Sequence, residues 1–474
     1  MPSGRAKRVG AWVVSGSRGL GVTIQRPVDT LAAPGYPTYV LDHLLRLARS
    51  ESRALDVVRS LCDEVGPRVP CTPGDTAAQA WAAQAMRAGG LTNVRAESAP
   101  ATLWERGAEL CTLRLPRPQS VVLSALGGSV GTGPSGVEAP VVMFESLEAL
   151  EAAPRESVSG RIVYLHHVMA RTRDGTGYNA GSLVRMRGPS RAAAKGALAC
   201  LVRSIGTDSL RAAHTGALFY ESEAHSIPAA ALSTPDGDLL ARALLAGKEV
   251  VSRLVLDCQP LPVGESANII GEVVGRDRPD EIVLVGAHLD SWDLGTGALD
   301  DGAGCAIAIE VGRILAALPR RPRRTVRIVL FANEELGTGG GHAYARAHAS
   351  EASRHVAALE ADQGDGAPWA LRVPVAAHER TVTSSLVSAL APLGIVLDTG
   401  ASRGGVDIAP LRQLGVPFVD LRQDATRYFD FHHTANDLFE NVSSDDLARA
   451  TTAFAVATYV LAEAEEFLLG APRA

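Results

Sequence analysis

Imidazole and carboxylate side chains are the usual ligands of borderline divalent cations, and this 474-residue chain sets them at the ends of apolar runs. EIVLVGAHLD ends in His288 and Asp290, TVRIVLFANEE in Glu334 and Glu335, and HVAALEADQG in Glu360 and Asp362. GALDDGAG adds Asp300 and Asp301 between glycines, and YFDFHHTANDLF adds His432, His433 and Asp437 late in the chain. Each piece alone is ordinary, since His-x-Asp arises by chance and DDG commonly makes a turn or a helix cap. Together, on successive strand ends and in the order His, Asp, Glu–Glu, Asp, His, they point to a metal centre. Adjacent glutamates suit a division of labour there, because neighbours on a strand face opposite ways: one can hold a metal while the other handles a proton.

Such a site needs strands to bring the pieces together, and open α/β sheets bind ligands at the carboxyl ends of their strands. After residue 265 the sequence reads that way. ANIIGEVV, EIVLVGAHLD, TVRIVLFANEE, HVAALEADQG and VPFVDLRQ are continuous apolar runs, as expected of strands buried on both faces. Helical stretches are expected at 303–318, 341–350, 380–392 and 406–414, and at 444–468 behind a Ser443–Ser444 cap. The fold expected is α/β, a mostly parallel sheet flanked by helices.

Upstream, VVLSAL, APVVMF, GRIVYLHH and GALACLVRS are short β-like runs between Gly-, Ser- and Pro-rich stretches, with a helix at about 187–197, and read as an inserted β-rich module. Its His166–His167 pair has no acidic partner nearby and reads as structural. Helical spacing recurs from Val40 to about Val57 and over 76–88, on either side of the turn-rich GPRVPCTPGD. The expected division is a loose tail over 1–36, an N-terminal part of the main domain over 37–119, the module over 120–262 and the main domain over 263–474.

Apolar residues make up 46% and charged residues 21%, the balance of a soluble globular protein. A net charge of −6 gives no reason to expect nucleic acid, and the run Arg320, Arg321, Arg323, Arg324 reads as a solvated loop. Six cysteines without CxxC spacing read as buried or free thiols, with a Cys62–Cys71 bridge as the open alternative. No stretch reaches membrane-span length and no export signal stands out, so the chain as written is expected in the cytoplasm.

GAHLDSW (286–292), LDDGAG (299–304), FANEELG (331–337), EADQG (360–364) and FHHTAND (431–437) together resemble the M28 zinc peptidases, exopeptidases with two co-catalytic metals. The likeness covers about 265–470 and includes the twelve-residue step from His288 to Asp300. The GPR of the turn-rich loop, GGVDIAPL (404–411) and YFDFHHTAND resemble one subgroup, in which a protease-associated (PA) module is inserted into the peptidase domain. The resemblance implies two zinc ions: Asp300 bridging them, His288 and Asp362 completing one, Glu335 and His433 the other. His433 is preferred over His432 because it stands four residues before Asp437, the spacing the family shows.

It further implies that Glu334 takes a proton from the attacking water and returns it to the departing amine. Asp290 would hold the His288 imidazole, Asp301 would orient Asp300, and the peptide bond between Asp300 and Asp301 would be cis. Arg403 and Asp407, flanking the GGVD turn, are candidates for a substrate's terminal carboxylate or ammonium, and His432 for contact with the oxyanion. Short peptides, dipeptides foremost, are the implied substrates. Homodimers and secretion, common in the family, stand as implications only, the latter against the missing export signal. The rival readings are an aminopeptidase of the same fold, a one-zinc glutaminyl-cyclase-like acyltransferase, and a non-catalytic binding protein with a degenerate site. The full ligand set disfavours the last two.

Overall fold

The computed structural model describes residues 35–222 and 226–469. The tail expected over 1–36 therefore lies, apart from Gly35 and Tyr36, outside the described residues. The scaffold is an eleven-stranded mixed sheet flanked by helices. Its strands of interest are β1 (Thr92–Arg114), β2 (Val137–Phe144), β3 (Ile162–Leu165), β4 (Ala199–Arg203), β5 (Ala229–Leu232), β6 (Val251–Val273), β7 (Arg278–His288), β8 (Arg324–Phe331) and β9 (His355–Glu360). The main domain's part runs β9-β7-β8-β6 and the upstream part β2-β3-β4-β5. β9, β7 and β8 are parallel neighbours, while β6 lies antiparallel to β8.

Alternation along β7 and β8 explains why both read as unbroken apolar runs. Val283, Val285 and Ala287, with Val326, Ile328 and Leu330, face a helical layer. That layer comprises α1 (Thr38–Arg49), α2 (Ala54–Glu64), α3 (Pro73–Ala88), α6 (Ala303–Ala316), α8 (Thr381–Leu390) and α9 (Ser444–Glu463), with α4 (Gly177–Ala194) and α5 (Thr234–Leu245) among the upstream strands and α7 (Gly339–Ala347) on the sheet's other face. Leu284, Val329 and Phe331 point the other way, under Tyr344 and Ala345 of α7 and under Ile408 and Leu411. Both faces are covered, so no residue from Ile282 to His288 reaches solvent.

In the upstream part of the sheet β2, β3, β4 and β5 are parallel, and α4 and α5 sit among them. β1 and β6 form one long antiparallel ribbon, with Arg95 opposite Ile270 at one end and Arg114 opposite Val251 at the other. Residues 103–114 already run beside 251–261, ahead of the boundary read at residue 120.

Several local expectations change. The helix expected from Val40 to Val57 is two, α1 and α2, because Ser52 turns its hydroxyl to the Ala54 N–H and the Arg53 N–H goes to Glu310 of α6. Residues 406–414 form a short 3-10 turn, Ala409–Leu414, where Pro410 lacks the N–H an α-helix needs. Only Asp420–Gln423 of VPFVDLRQ is a strand, in a separate three-stranded sheet. The 187–197 helix begins earlier, at Gly177, and passes through Pro189. Arg324 is not solvated. It is fully buried and donates to Glu281 and to the Leu461 and Ala464 carbonyls at the end of α9, where a cation suits the helix's negative end. All six cysteines are free, Cys62 and Cys71 included. Among the described residues no helix is long and apolar enough to cross a membrane.

Candidate metal centre

Parallel β7, β8 and β9 end at one edge, and the residues after them converge there. His288 is the last residue of β7. Asp300 and Asp301, joined by a cis peptide bond, occupy the turn Ala298–Gly302 that leads into α6. Asp362 follows β9, and His432 and His433 lie in the loop after the turn Tyr428–Asp430. Glu334 and Glu335 sit not on the strand but in the tight turn beyond Phe331.

Asp300 is the hub. Its Oδ1 lies 3.0 Å from His288 Nε2, and its Oδ2 lies 3.2 Å from His433 Nε2 and 3.5 Å from His432 Nε2. His288 Nε2 is also 3.5 Å from Asp362 Oδ1, and His433 Nε2 is 3.0 Å from Glu335 Oε2. The two histidine rings stack 3.6 Å apart. His433 is thus the one that faces both Asp300 and Glu335, while His432 Nδ1 is buried without a partner.

The supporting aspartates act differently from expectation. Asp290 meets the His288 ring mainly through its backbone carbonyl, 3.0 Å from Nδ1, with its carboxylate 3.8 Å away. Its carboxylate instead accepts the N–H groups of Glu334 (3.0 Å) and Glu335 (3.2 Å), which explains how two like charges are held side by side in a turn. Asp301 accepts from the backbone of His288 and of Gly304, both at 3.0 Å. Asp437, used above only as a spacing marker, clasps the hub, taking the Leu299 N–H at 2.6 Å and the Asp300 N–H at 3.1 Å.

Other supports lie within GPR and GAHLDSW, motifs that do not by themselves tell what these residues hold. Arg68 of the GPR loop is fully buried and donates to four carbonyls: Gly66 (3.1 Å), Leu289 (2.6 Å), Thr296 (2.7 Å) and Gly297 (3.0 Å), pinning the loop between His288 and Asp300. Trp292, on that loop, packs edge-on to His433. Of the two substrate-binding candidates, Arg403 is exposed, and only its backbone atoms are engaged, with Asp420 and Arg412. Asp407 is buried with both carboxylate oxygens unpartnered, behind Glu360, which accepts the Asp407 and Ile408 N–H groups. His166 and His167 lie in the module, where His166 pairs with Tyr164.

Charge at the centre is unbalanced. Burial opposes ionisation of Asp300, yet the imidazoles of His288 and His433 hold its carboxyl well below the usual carboxylate range. Burial likewise opposes charge on those imidazoles, and the surrounding carboxylates outweigh it, raising both. Glu335 is pushed up to about 7 by burial and the Asp300 charge, and Glu334 well upward by burial with Glu335 and Asp362 adding to it. A set of buried acids that raise one another is a set that wants cations. Ligand atoms of Asp300, His432 and His433, of His288, Asp301 and Asp362, and of His288, Asp300 and Glu335 lie within 4.8 Å of one another in each group, so Asp300 is shared. Asp300 Oδ2 and Glu335 Oε1 are buried without a hydrogen-bond partner. Mixed imidazole and carboxylate donors with two free oxygens fit a borderline cation such as zinc, whereas calcium and magnesium favour all-oxygen shells.

Imidazole and carboxylate groups gathered at the carboxyl edge of this sheet make a site for divalent metal. The sequence agrees with the architecture. A model of Peptidase family M28 matches residues 268–458. Carboxypeptidase Q of Bos taurus is 32% identical over 448 residues, covering 94% of this chain and 93% of that one. Carboxypeptidase Q of Mus musculus is 33% identical, with 88% and 87% covered. A crystal structure of a peptidase M28 precursor from Shewanella amazonensis superposes with a TM-score of 0.88 at 40% identity, covering 91% of this chain and 98% of that one. This chain belongs to peptidase family M28.

Proposed function

We propose that the chain is a two-zinc exopeptidase that cleaves short peptides, dipeptides foremost. The observation that carries this is Asp300, whose two oxygens face His288 on one side and His433 on the other, so that one carboxylate serves both halves of the donor set. His288 and Asp362 would complete the shell of one ion, Glu335 and His433 that of the other. When bound, zinc supplies Lewis acidity, making a water acidic near neutral pH and polarising a carbonyl oxygen.

The chain's own groups do the rest. Glu334, half-buried, has its backbone N–H held by Asp290 and its carboxylate left out of the ligand set. A carboxylate oxygen of Glu334 takes the proton from water and delivers it to the leaving amine, base and acid in turn. His432, beside Asp300, supplies a ring nitrogen to the developing oxyanion. Asp437, Asp301 and Arg68 keep Asp300 and His288 in place.

The carboxypeptidase Q relatives support carboxypeptidase polarity, as their name states. Asp407 favours a second reading, an aminopeptidase, because a buried carboxylate with two unpartnered oxygens suits a substrate ammonium, while the exposed Arg403 offers no comparable carboxylate site. Turnover of free dipeptides, N-acetylated dipeptides and dipeptide amides separates these readings. Loss of activity on blocking only the carboxyl end supports a carboxypeptidase, and on blocking only the amino end an aminopeptidase. Alongside this, Glu334→Gln is expected to keep its zinc and lose roughly a hundredfold or more in kcat. Glu335→Ala is expected to lose zinc, and equal zinc contents in the two variants would refute their separate roles.

A further inference from the structure

The turn that carries His432 and His433 is held from outside the main domain. His433 has φ of +62°, a left-handed conformation that a side-chain-bearing residue adopts only where its surroundings impose it. The surroundings belong to the upstream module. Thr215 N–H donates to the His433 carbonyl at 3.0 Å, and the Thr215 carbonyl stands 3.2 Å from His433 Nδ1. A proton on Nδ1 satisfies that carbonyl and leaves the Nε2 lone pair facing Asp300 and Glu335. The approach is close enough to require glycine next door: a Cβ on Gly216, whose φ is +131°, would stand 2.7 Å from His433 Nδ1.

A second contact braces the same turn. His214, almost wholly buried, points Nδ1 at the His432 carbonyl (2.7 Å) and Nε2 at Asp208 Oδ2 (2.7 Å). The ring thus bridges the His432 carbonyl to the buried Asp208 carboxyl group, one nitrogen to each. A buried His–Asp pair is a poor way to fill space, since burying polar groups costs stability unless each finds a partner. It is a good way to fix one carbonyl in one place. Asp208 is itself fixed, its Oδ1 accepting the Leu210 N–H at 2.6 Å. The two loops are further laced by Thr207 and Arg171, which both bond Asp430.

We infer that Asp208 and His214 are positioning residues of the metal centre, holding the His432–His433 turn so that His433 Nε2 is presented beside Asp300 and Glu335. The inference rests on the zinc reading above, and it makes the module a working part of the site rather than an appended one.

Zinc binding of the full chain tests it, by chelator competition and by the visible spectrum of the cobalt(II)-substituted protein. Relative to wild type, His214→Ala is expected to weaken the ion that Glu335 and His433 would hold by roughly tenfold to a hundredfold and to alter the cobalt bands. Asp208→Asn, which keeps the side chain's shape, is expected to do so less strongly, and it decides the matter alone if His214→Ala does not fold. Asp238→Asn is the control, because it weakens the Arg203–Asp238 pair (2.7 Å) of the same module without touching the turn, and it is expected to bind zinc normally. Wild-type affinity and spectrum in both test variants, or equal weakening in Asp238→Asn, would overturn the inference. A wild-type chain that takes up no zinc would refute the reading of the centre itself.

Discussion

Replacing Arg68 by methionine keeps the stem's volume and removes the guanidinium that ties the GPR loop to residues 289–297. Three of its acceptors, Leu289, Thr296 and Gly297, lie more than 220 residues away, and no acidic side chain shares the guanidinium. The Gly66 and Leu289 bonds are buried, whereas the Thr296 bond is partly exposed, so its carbonyl can turn to water, and the Gly297 carbonyl keeps the Gly302 N–H. Two buried carbonyls left without donors cost about 1–3 kcal/mol each, so the expected loss is about 2–6 kcal/mol, offset in part because a buried cation goes too. Calorimetry of the metal-free protein measures the fall in melting temperature. Hydrogen exchange locates it, with amides of 289–302 expected to lose protection before those of the module strands. Arg68→Lys should fall between, since one ammonium cannot reach every acceptor. An unchanged melting temperature with unchanged exchange over 289–302 would refute the claim that Arg68 holds this loop.

Asp407→Asn replaces a buried carboxyl group, whose pKa burial and the neighbouring Glu360 raise, without changing volume. If that carboxylate meets an ammonium, KM for free dipeptides should rise at least about tenfold while N-acetylated ones change little, the scale of one lost charge-assisted bond. Equal effects on both substrates would contradict it. His355, buried, accepts from Tyr344 at Nε2 (2.9 Å), and burial with the nearby Arg327 charge lowers its pKa to about 4. Its unfolded value is about 6.5, so the unfolded chain binds this proton first and stability falls as pH drops from about 6.5 to about 4, by about 3 kcal/mol in all. His355→Gln should remove that share of the slope in unfolding experiments run between those pH values. Parallel wild-type and variant curves would show that His355 is not the group responsible.

The parts of the site that sequence revealed are those whose meaning is local. His288 and Asp300 stand twelve residues apart, and Glu334 and Glu335 follow an apolar strand, so type and spacing were legible without coordinates. The runs on β7 and β8 were equally plain because burial on both faces leaves no polar alternation. What was hidden depends on distant partners. Asp437 reaches the Asp300 backbone across 137 residues, and His214 reaches His432 across 218. GPR was legible as a motif, but not that Arg68 reaches carbonyls of 289–297; nothing marks Thr215, which acts through its backbone, or Asp208, which meets His214 and the Leu210 N–H. Arg324 misled for a related reason: a basic run looks solvated until a helix C-terminus is brought against it. Asp290 was found, but with its carboxylate assigned to the imidazole, because on paper two adjacent glutamates do not reveal that their N–H groups need a common acceptor.

The central claim is that Asp300 serves both halves of one donor set. Zinc content by mass spectrometry, on the full chain and on Asp300→Asn, tests it most directly. Two zinc ions per wild-type chain, falling to one or none in the variant with the fold retained, is the result predicted. A wild-type chain with a single zinc, or a variant that still holds two as tightly, would contradict it.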